Sequence, residues 1–371
     1  MKRILVTGSS GFVGKNLVTA LRTRKDVEIE TFDLNDDRAT LRSYLSKCEL
    51  IFHLAGVNRP SEIGEFETGN VNLTKDMVDQ LLGLKASPAI IFSSTVQAEL
   101  ANPYGISKKK GEDVLKSYSQ QSLAPVVIFR LPNIYGKWCR PNYNSVVATF
   151  CYQIAHDSPI TISDPEKELE LVYIDDVVSQ CISLVRERLP QETQYRTISP
   201  TYRTTLGKLA EIIRGIRSLR KSRGVGKMDN RFYRTLYATF VSYLDENDFA
   251  YDLEEKRDTK GVLAELYGSN SFGQVFFSRT KPGILRGNHY HHTKVEKFCV
   301  LEGEGIIRLR QIFGTKIHEY PVSGRHPRIV DIPPGYTHSI ENVGTTEMIT
   351  IFWSSELFDP QALDTNFENV I

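Results

Sequence analysis

The chain has 371 residues, with 46 Lys and Arg against 45 Asp and Glu (net charge +1), 40% hydrophobic residues and 25% charged residues. At roughly 100–200 residues per domain this length predicts two or three domains, and the composition is that of a folded globular chain rather than a disordered one. The balanced charge argues against a general nucleic-acid binder, no apolar run reaches the ~20 residues of a membrane span, and five scattered cysteines (48, 139, 151, 181, 299) without a CxxC argue against a disulfide framework or a Cys-based metal site.

Met1-Lys-Arg-Ile-Leu-Val-Thr-Gly8 has the charge of a signal peptide but too short an apolar stretch, so a cytoplasmic location with no membrane association is expected. Ile4–Val6 reads as a buried strand, and Phe12, Leu17 and Leu21 as one face of the helix that follows. Val27–Phe32, Leu50–Leu54, Ala89–Phe92 and Pro125–Phe129 are the next strands, with helical periodicity over Lys75–Leu84 and Lys108–Tyr118 between them. Strands alternating with helices predict a parallel sheet covered on both faces, an α/β doubly wound Rossmann-type fold. Past residue 205 the pattern changes. Leu206–Ile216 is helical, residues 217–227 are basic with two glycines, and from about Val262 the segments are short and β-rich: Gln274–Ser278, Lys297–Leu301, Gly305–Arg310, Lys316–Val322, Arg328–Ile332 and Glu347–Trp353. Short strands at that spacing predict an all-β sandwich or barrel. A boundary near 245 divides residues 1–245 from 246–371. The second part holds 13 Lys and Arg against 18 Asp and Glu, the first 33 against 27, so the near-neutral total cancels −5 against +6.

Gly8-Ser-Ser-Gly11-Phe12-Val13-Gly14 follows a strand and opens a helix. Glycines there permit a tight turn and let backbone N–H groups meet a pyrophosphate at the positive helix end. Asp33 ends the second strand, where an acid favours the ribose 2′-hydroxyl of NAD, while nearby Arg38 suits the 2′-phosphate of NADP. Tyr104 and Lys108 are one helical turn apart, so an ammonium beside the phenol is expected to lower the Tyr104 pKa toward working pH and fit it for proton transfer during hydride exchange.

The GxxGxxG spacing, His53-Leu54-Ala55-Gly56, Asn70-Val71, Ser93-Ser94-Thr95, Tyr104-Gly-Ile-Ser-Lys108 and Arg130-Leu-Pro-Asn133-Ile-Tyr-Gly136 occur in order. Together they resemble the extended short-chain dehydrogenase/reductase superfamily, which acts on nucleotide sugars. The resemblance implies NAD(P) contacts at Gly8, Gly11, Phe12, Val13, Gly14, Asp33, Leu54, Ala55, Gly56 and Lys108, and a catalytic set of Tyr104, Lys108, Thr95 (Ser94 being the weaker choice) and Asn70. It implies substrate contacts at Asn133 and, in the donor-rich stretch after it, at Arg140 and Asn142. In Val172-Tyr-Ile-Asp175-Asp176 an Asp is expected to cap the following helix.

Six of the eight histidines lie in the last 83 residues. His289 and His291 alternate on a strand and share a face, Glu296 follows, and Pro333-Pro-Gly335 leads to His338. Three imidazoles and a carboxylate suit a divalent metal with an open position. The HxH-x4-E-x6-G and PxG-x2-H-x3-N spacings resemble the cupin superfamily, a small β barrel, with the departure that position 327 is Pro rather than Gly. Asp258–Glu265 and Leu285-Arg-Gly287-Asn-His289 also resemble nucleotide-sugar 3,5-epimerases, in which the His after LRG is a base. His289 is thus either ligand or base; ligand is favoured because His291 and Glu296 complete a metal pattern, leaving Tyr336 and His292 as weaker candidate bases.

A reductase followed by a cupin resembles the bifunctional capsular-polysaccharide enzymes of the UDP-N-acetyl-L-fucosamine route. That resemblance implies carbon 3 epimerisation of a UDP-2-acetamido-2,6-dideoxy-hexos-4-ulose by the cupin, then carbon 4 reduction to UDP-N-acetyl-6-deoxy-L-talosamine. It further implies NADPH (NADH being the alternative that Asp33 raises), zinc and a homodimer. Two other readings stay open: a cupin that only binds or dimerises, and a reductase fold that senses its cofactor without turnover.

Overall fold

The computed structural model describes residues 1–221, 226–252, 273–356 and 364–371, with the backbone alone at 255–258, 261–264 and Gln274. Residues 222–225 of the basic stretch, and Thr259, Lys260 and Glu265 of the epimerase-like segment, lie outside the described residues. The chain forms two compact units. One comprises Met1–Tyr135, Asn142–Ser145 and Leu169–Arg203; the other comprises Gly136–Pro141, Val146–Glu168 and Thr204–Ile371. Compactness therefore divides the chain differently from a single cut near 245. No helix among the described residues is long and apolar enough to cross a membrane.

The first unit is built on six parallel strands in the order Val27–Phe32, Lys2–Thr7, Leu50–His53, Ala89–Thr95, Val126–Leu131, Thr193–Arg196. Ile4, Leu5 and Val6, like Leu50, Ile51 and Phe52, are fully buried, because helices cover both faces and a central parallel strand has no solvent side. Leu5, Ile51, Ile90, Phe92, Val126 and Ile128 pack with Leu41, Leu45, Met77, Leu81, Leu115 and Tyr118 from three helices. Each such side chain contributes roughly 1.5–3 kcal/mol by leaving water. The order reverses after Lys2–Thr7, since the chain turns out to Val27–Phe32 and then crosses to Leu50–His53. The carboxyl ends of Lys2–Thr7 and Leu50–His53 flank that switch point, where open α/β sheets bind ligands.

The second unit holds two five-stranded antiparallel sheets. One runs Ala250–Asp252, Arg328–Ile332, Glu296–Glu302, Met348–Ser354, Gln274–Thr280; the other Ile317–Ser323, Glu304–Gln311, Tyr336–Asn342, Leu285–Tyr290, Asn366–Phe367. On the first sheet the buried rings of Phe298 and Phe352 have centroids 4.6 Å apart, and the exposed Phe276 stacks 4.7 Å from Phe352. Helices Val146–Ala155, Leu206–Lys221 and Arg231–Val241 complete this unit.

A buried charge cluster ties helix to sheet within the second unit. Lys297 Nζ donates to Asp331 Oδ1 at 2.5 Å, and Arg220 Nε donates to Asp331 Oδ2 at 2.9 Å. Arg220 also donates to the Asp248 carbonyl, and Lys297 donates to the Tyr251 hydroxyl at 3.1 Å. Removing the shared carboxylate would leave two buried cations uncompensated, which costs about 3–5 kcal/mol. Asp331→Ala is therefore expected to lower the unfolding free energy from denaturant titration by that amount; a loss under about 1 kcal/mol, the scale of a surface pair, would show the cluster to be solvated.

Candidate active site and candidate metal centre

The first unit's candidate residues gather at the carboxyl ends of its strands. Gly8 has a left-handed φ of +70°, and a Cβ on it would meet the Ala55 N at 2.6 Å. A Cβ on Gly14 would meet the Gly8 carbonyl oxygen at 2.1 Å. Only glycine fits either place, so the turn lies tight against Leu54 and Ala55. The helix Phe12–Arg22 starts from Gly11 with no side-chain cap and no acid in its first turn. Its amino end is thus open to an anion, and the turn with this helix fits a dinucleotide pyrophosphate. Asp33 accepts from the Ser9 hydroxyl, from Ser10 N at 3.1 Å and from the Ser10 hydroxyl at 2.9 Å. Its acceptor positions are spent on the loop. Arg38 is exposed and paired with Asp76 at 3.5 Å.

Tyr104 and Lys108 lie on the helix Pro103–Ser122, started by Asn102, whose side chain accepts from Gly105 N at 2.8 Å, with Pro103 in the first turn. Lys108 is buried, with Nζ 4.2 Å from the Phe92 ring centroid, and burial pushes its pKa down to about 8 although Glu112 pulls it back up. The expected lowering of Tyr104 is not found. Burial raises the phenol, and the Thr95 hydroxyl only opposes that shift. Spacing counts charges, but desolvation decides here. Ser94 turns away, its hydroxyl donating to Glu112 Oε1 at 2.5 Å, which leaves Thr95 beside Tyr104.

Asn70 sits in a π-helical turn, Glu67–Asn72, a departure from α geometry that often marks functional sites. Its Oδ1 accepts from Val57 N at 2.8 Å, and its Nδ2 donates to the Val57 carbonyl at 2.8 Å and the Ser107 hydroxyl at 2.9 Å. A Cβ on Gly56 would meet that Oδ1 at 2.7 Å and Lys108 Nζ at 3.6 Å, so Gly56, Asn70 and Lys108 are mutual neighbours.

Two groups to which the sequence reading gives no role stand among these residues. His53 bridges Thr7 Oγ1 at 2.8 Å and Thr74 Oγ1 at 2.9 Å. Thr74 already donates to the Asn70 carbonyl at 2.8 Å, so it accepts from His53 Nε2–H, and Thr7 donates to Nδ1. Burial and then the Lys108 charge push the His53 pKa down to about 3, so the ring is neutral, as this chain of bonds requires. Glu112, fully buried, receives Arg130 at 3.0 and 2.7 Å and Tyr195 at 3.3 Å. It lies one turn beyond Lys108, the same spacing that exposed Tyr104, and was legible by that rule. Asn133 and Asn142 are exposed in the first unit; Asn133 donates to the Glu170 carbonyl at 3.3 Å, and Asn142 has φ +54°. Arg140 is an exposed residue of the second unit. Asp175 and Asp176 stand in the first turn of Ile174–Leu184, whose N-cap is Tyr173 without a side-chain cap, so the expected Asp cap is replaced by two acids in the first turn, favourable to the helix dipole.

In the second unit His289, His291, Glu296 and His338 come together, their ligand atoms all within 4.8 Å of one another. Glu296 Oε2 lies 3.3 Å from His291 Nε2 and 3.4 Å from His338 Nε2. His291 Nε2 and both His338 ring nitrogens are buried without a hydrogen-bond partner. Burial and the neighbouring rings push His289 down to about 4, keeping it neutral. Orphaned, mutually facing nitrogens around one carboxylate fit a divalent cation. The strand geometry departs from simple alternation in two details: Asn288 is left-handed (φ +56°) in a bulge between Gly287 and His289, and His291 lies just past the strand end. Tyr336 Oη donates to Glu246 Oε1 at 3.3 Å, and burial with that carboxylate pushes its phenol well up, a poor proton acceptor.

The chain matches the NAD dependent epimerase/dehydratase family over residues 4–196 and the Polysaccharide biosynthesis C-terminal domain over residues 256–366. It is 39% identical to the UDP-2-acetamido-2,6-beta-L-arabino-hexul-4-ose reductase of Pseudomonas aeruginosa, across 98% of this chain and 97% of that one. It is similar to the crystal structure of the capsular polysaccharide assembling protein CapF from Staphylococcus aureus, with a TM-score of 0.68 and 43% identity over 99% of this chain and 100% of that one. A Bacillus cereus UDP-glucuronic acid 4-epimerase solved with NAD shares the fold alone, at 19% identity and a TM-score of 0.52 over 58% of this chain and 84% of that one.

Proposed function

Because the chain belongs to the NAD dependent epimerase/dehydratase family, we propose that it is a bifunctional nucleotide-sugar enzyme working on a UDP-2-acetamido-2,6-dideoxy-hexos-4-ulose. Residues 246–371, read as a cupin, epimerise carbon 3; residues 1–245 reduce the carbon 4 ketone, giving UDP-N-acetyl-6-deoxy-L-talosamine for capsule or O-antigen polysaccharide. The observation that carries this reading is a Tyr104–Lys108–Thr95 set whose Lys108 borders Gly56, next to the Ala55 against which the Gly-rich turn lies, in a chain similar along its length to a 4-ulose reductase. A 4-keto group acidifies the proton on carbon 3, so epimerisation has to precede reduction.

When bound, the nicotinamide supplies a hydride to carbon 4, and a divalent cation, zinc in our reading, held by His289, His291, Glu296 and His338 supplies positive charge for an oxyanion. Tyr104 gives its proton to the carbon 4 oxygen as that oxygen becomes an alcohol. Its raised pKa keeps it a phenol before reaction, which is the form a reductase needs. The Thr95 hydroxyl hydrogen-bonds the same oxygen, and the Lys108 ammonium stabilises the phenolate left behind. Gly8, Gly11, Phe12, Val13 and Gly14 cradle the pyrophosphate, Leu54, Ala55 and Gly56 border the nicotinamide side, and Asn70 fixes Val57 and Ser107 around it. NADPH is the proposed coenzyme, with NADH the alternative that the Asp33 carboxylate, engaged by Ser9 and Ser10, leaves open. Asn133, Arg140 and Asn142 are the proposed substrate contacts.

The test is coenzyme oxidation on mixing with the UDP-4-keto sugar; one NADPH consumed per sugar supports the reading, and none consumed with either coenzyme defeats it. A pH dependence follows. The Lys108 charge is present below its pKa of about 8 and lost above it. The kcat/KM for reduction should hold steady below pH 8 and fall about tenfold per pH unit beyond it. Lys108→Arg, which stays charged, should abolish that fall; a profile flat to pH 10 in the unsubstituted enzyme would remove Lys108 from the mechanism.

A further inference from the structure

We propose that the C-terminal segment Asp364–Ile371 aims His291 into the candidate metal set, with Asp364 as the positioning residue. The inference rests on reading His289, His291, Glu296 and His338 as metal ligands. His291 stands just beyond the strand Leu285–Tyr290, so no strand ladder sets its direction. Two bonds take over that task. Gly335 N donates to the His291 carbonyl at 2.9 Å, and His291 Nδ1 donates to the main-chain carbonyl of Asp364. A proton fixed on Nδ1 leaves Nε2 as the bare nitrogen, and Nε2 is the atom facing Glu296.

The Asp364 carboxylate holds its own carbonyl in place. It accepts from three consecutive backbone N–H groups, His292 at 2.8 Å, Thr293 at 2.8 Å and Lys294 at 3.0 Å, and from the Thr293 hydroxyl at 3.0 Å. Charge-assisted bonds of this kind are roughly twice as strong as neutral ones.

The rest of the segment is fastened to the two strands that carry His289 and His338 and to Glu304–Gln311, which pairs with the second of them. Phe367 pairs with His289 and Asn366 with Tyr290. Asn288 accepts from Glu368 N at its carbonyl, 2.9 Å, and from Val370 N at its side chain, 3.3 Å. Thr337, the neighbour of His338, donates to the Glu368 carbonyl, and Arg310 donates to the Asn369 carbonyl at 2.7 Å. The segment thus bears on three of the four candidate ligands. Residue 364 is 73 positions from His291, so nothing local in the sequence announces the bond.

The test uses the full chain as Asp364→Ala and Asp364→Asn, with Co2+ as the probe and two readouts. One is the Co2+ dissociation constant and ligand-field spectrum; the other is the His291 Nδ1–H resonance of the metal-free protein. Asp364→Ala should bind Co2+ ~10–100-fold more weakly, the usual loss on removing a residue that orients a ligand. It should also lose the protected Nδ1–H. Asp364→Asn keeps an acceptor oxygen, should fold in any case, and should fall between. Unchanged affinity, spectrum and resonance in both variants would overturn the proposal. If the unsubstituted protein takes up no Co2+, the metal reading fails instead, and the resonance alone decides whether Asp364 positions His291.

Discussion

Tyr104→Phe is expected to abolish NADPH oxidation while leaving hydrogen exchange at carbon 3 of the keto sugar intact. The phenol hydroxyl is the group beside Thr95 at the carboxyl end of the sheet, and burial keeps its proton on until the carbon 4 oxygen takes it. A positioned acid of this type contributes about 10²–10⁴-fold to rate, so reduction should fall by at least a hundredfold. Epimerisation is assigned to residues 246–371 and needs no hydride, so it should continue at the unsubstituted rate. Loss of both activities would mean that one site does both reactions, and the proposed division of labour would be wrong.

The converse variant is His338→Ala. His338 is buried, has neither ring nitrogen hydrogen-bonded, and faces Glu296 at 3.4 Å. Its removal takes a ligand rather than a ligand's support, so the metal affinity should fall by more than the ~10–100-fold typical of supporting residues. Carbon 3 exchange should disappear with the metal. Reduction of a sugar supplied with carbon 3 already inverted should persist. Full metal content by elemental analysis in this variant would refute the ligand assignment.

Much of the first unit was readable because its central strands are buried on both faces and appear as unbroken apolar runs, as at Ile4–Val6 and Leu50–Phe52. Thr193–Arg196 was missed because it is a polar strand at the sheet edge, with no apolar signal. Leu285–Tyr290 carries Gly287 and a left-handed Asn288, so propensity argues against the strand that holds His289. Helix Arg231–Val241 was likewise not anticipated, although seven of its residues are buried. Tyr104, Lys108 and the His–Glu set were recognisable because their chemistry imposes fixed spacings. Desolvation has no such signature, which is why the direction of the Tyr104 shift came out reversed. Long-range partners have none either: Asp331 with Arg220 and Asp364 with His291 meet only in the folded chain.

The most direct measurement of the central claim is NMR of the UDP-4-keto sugar incubated with the enzyme in D2O, with and without NADPH. Without NADPH, deuterium should replace the carbon 3 proton and the inverted sugar should accumulate. With NADPH, one reduced product should form, inverted and deuterated at carbon 3, with the coenzyme's hydride at carbon 4. A reduced product that keeps its carbon 3 proton and configuration, together with no exchange in the absence of NADPH, would contradict the bifunctional account and leave a reductase alone.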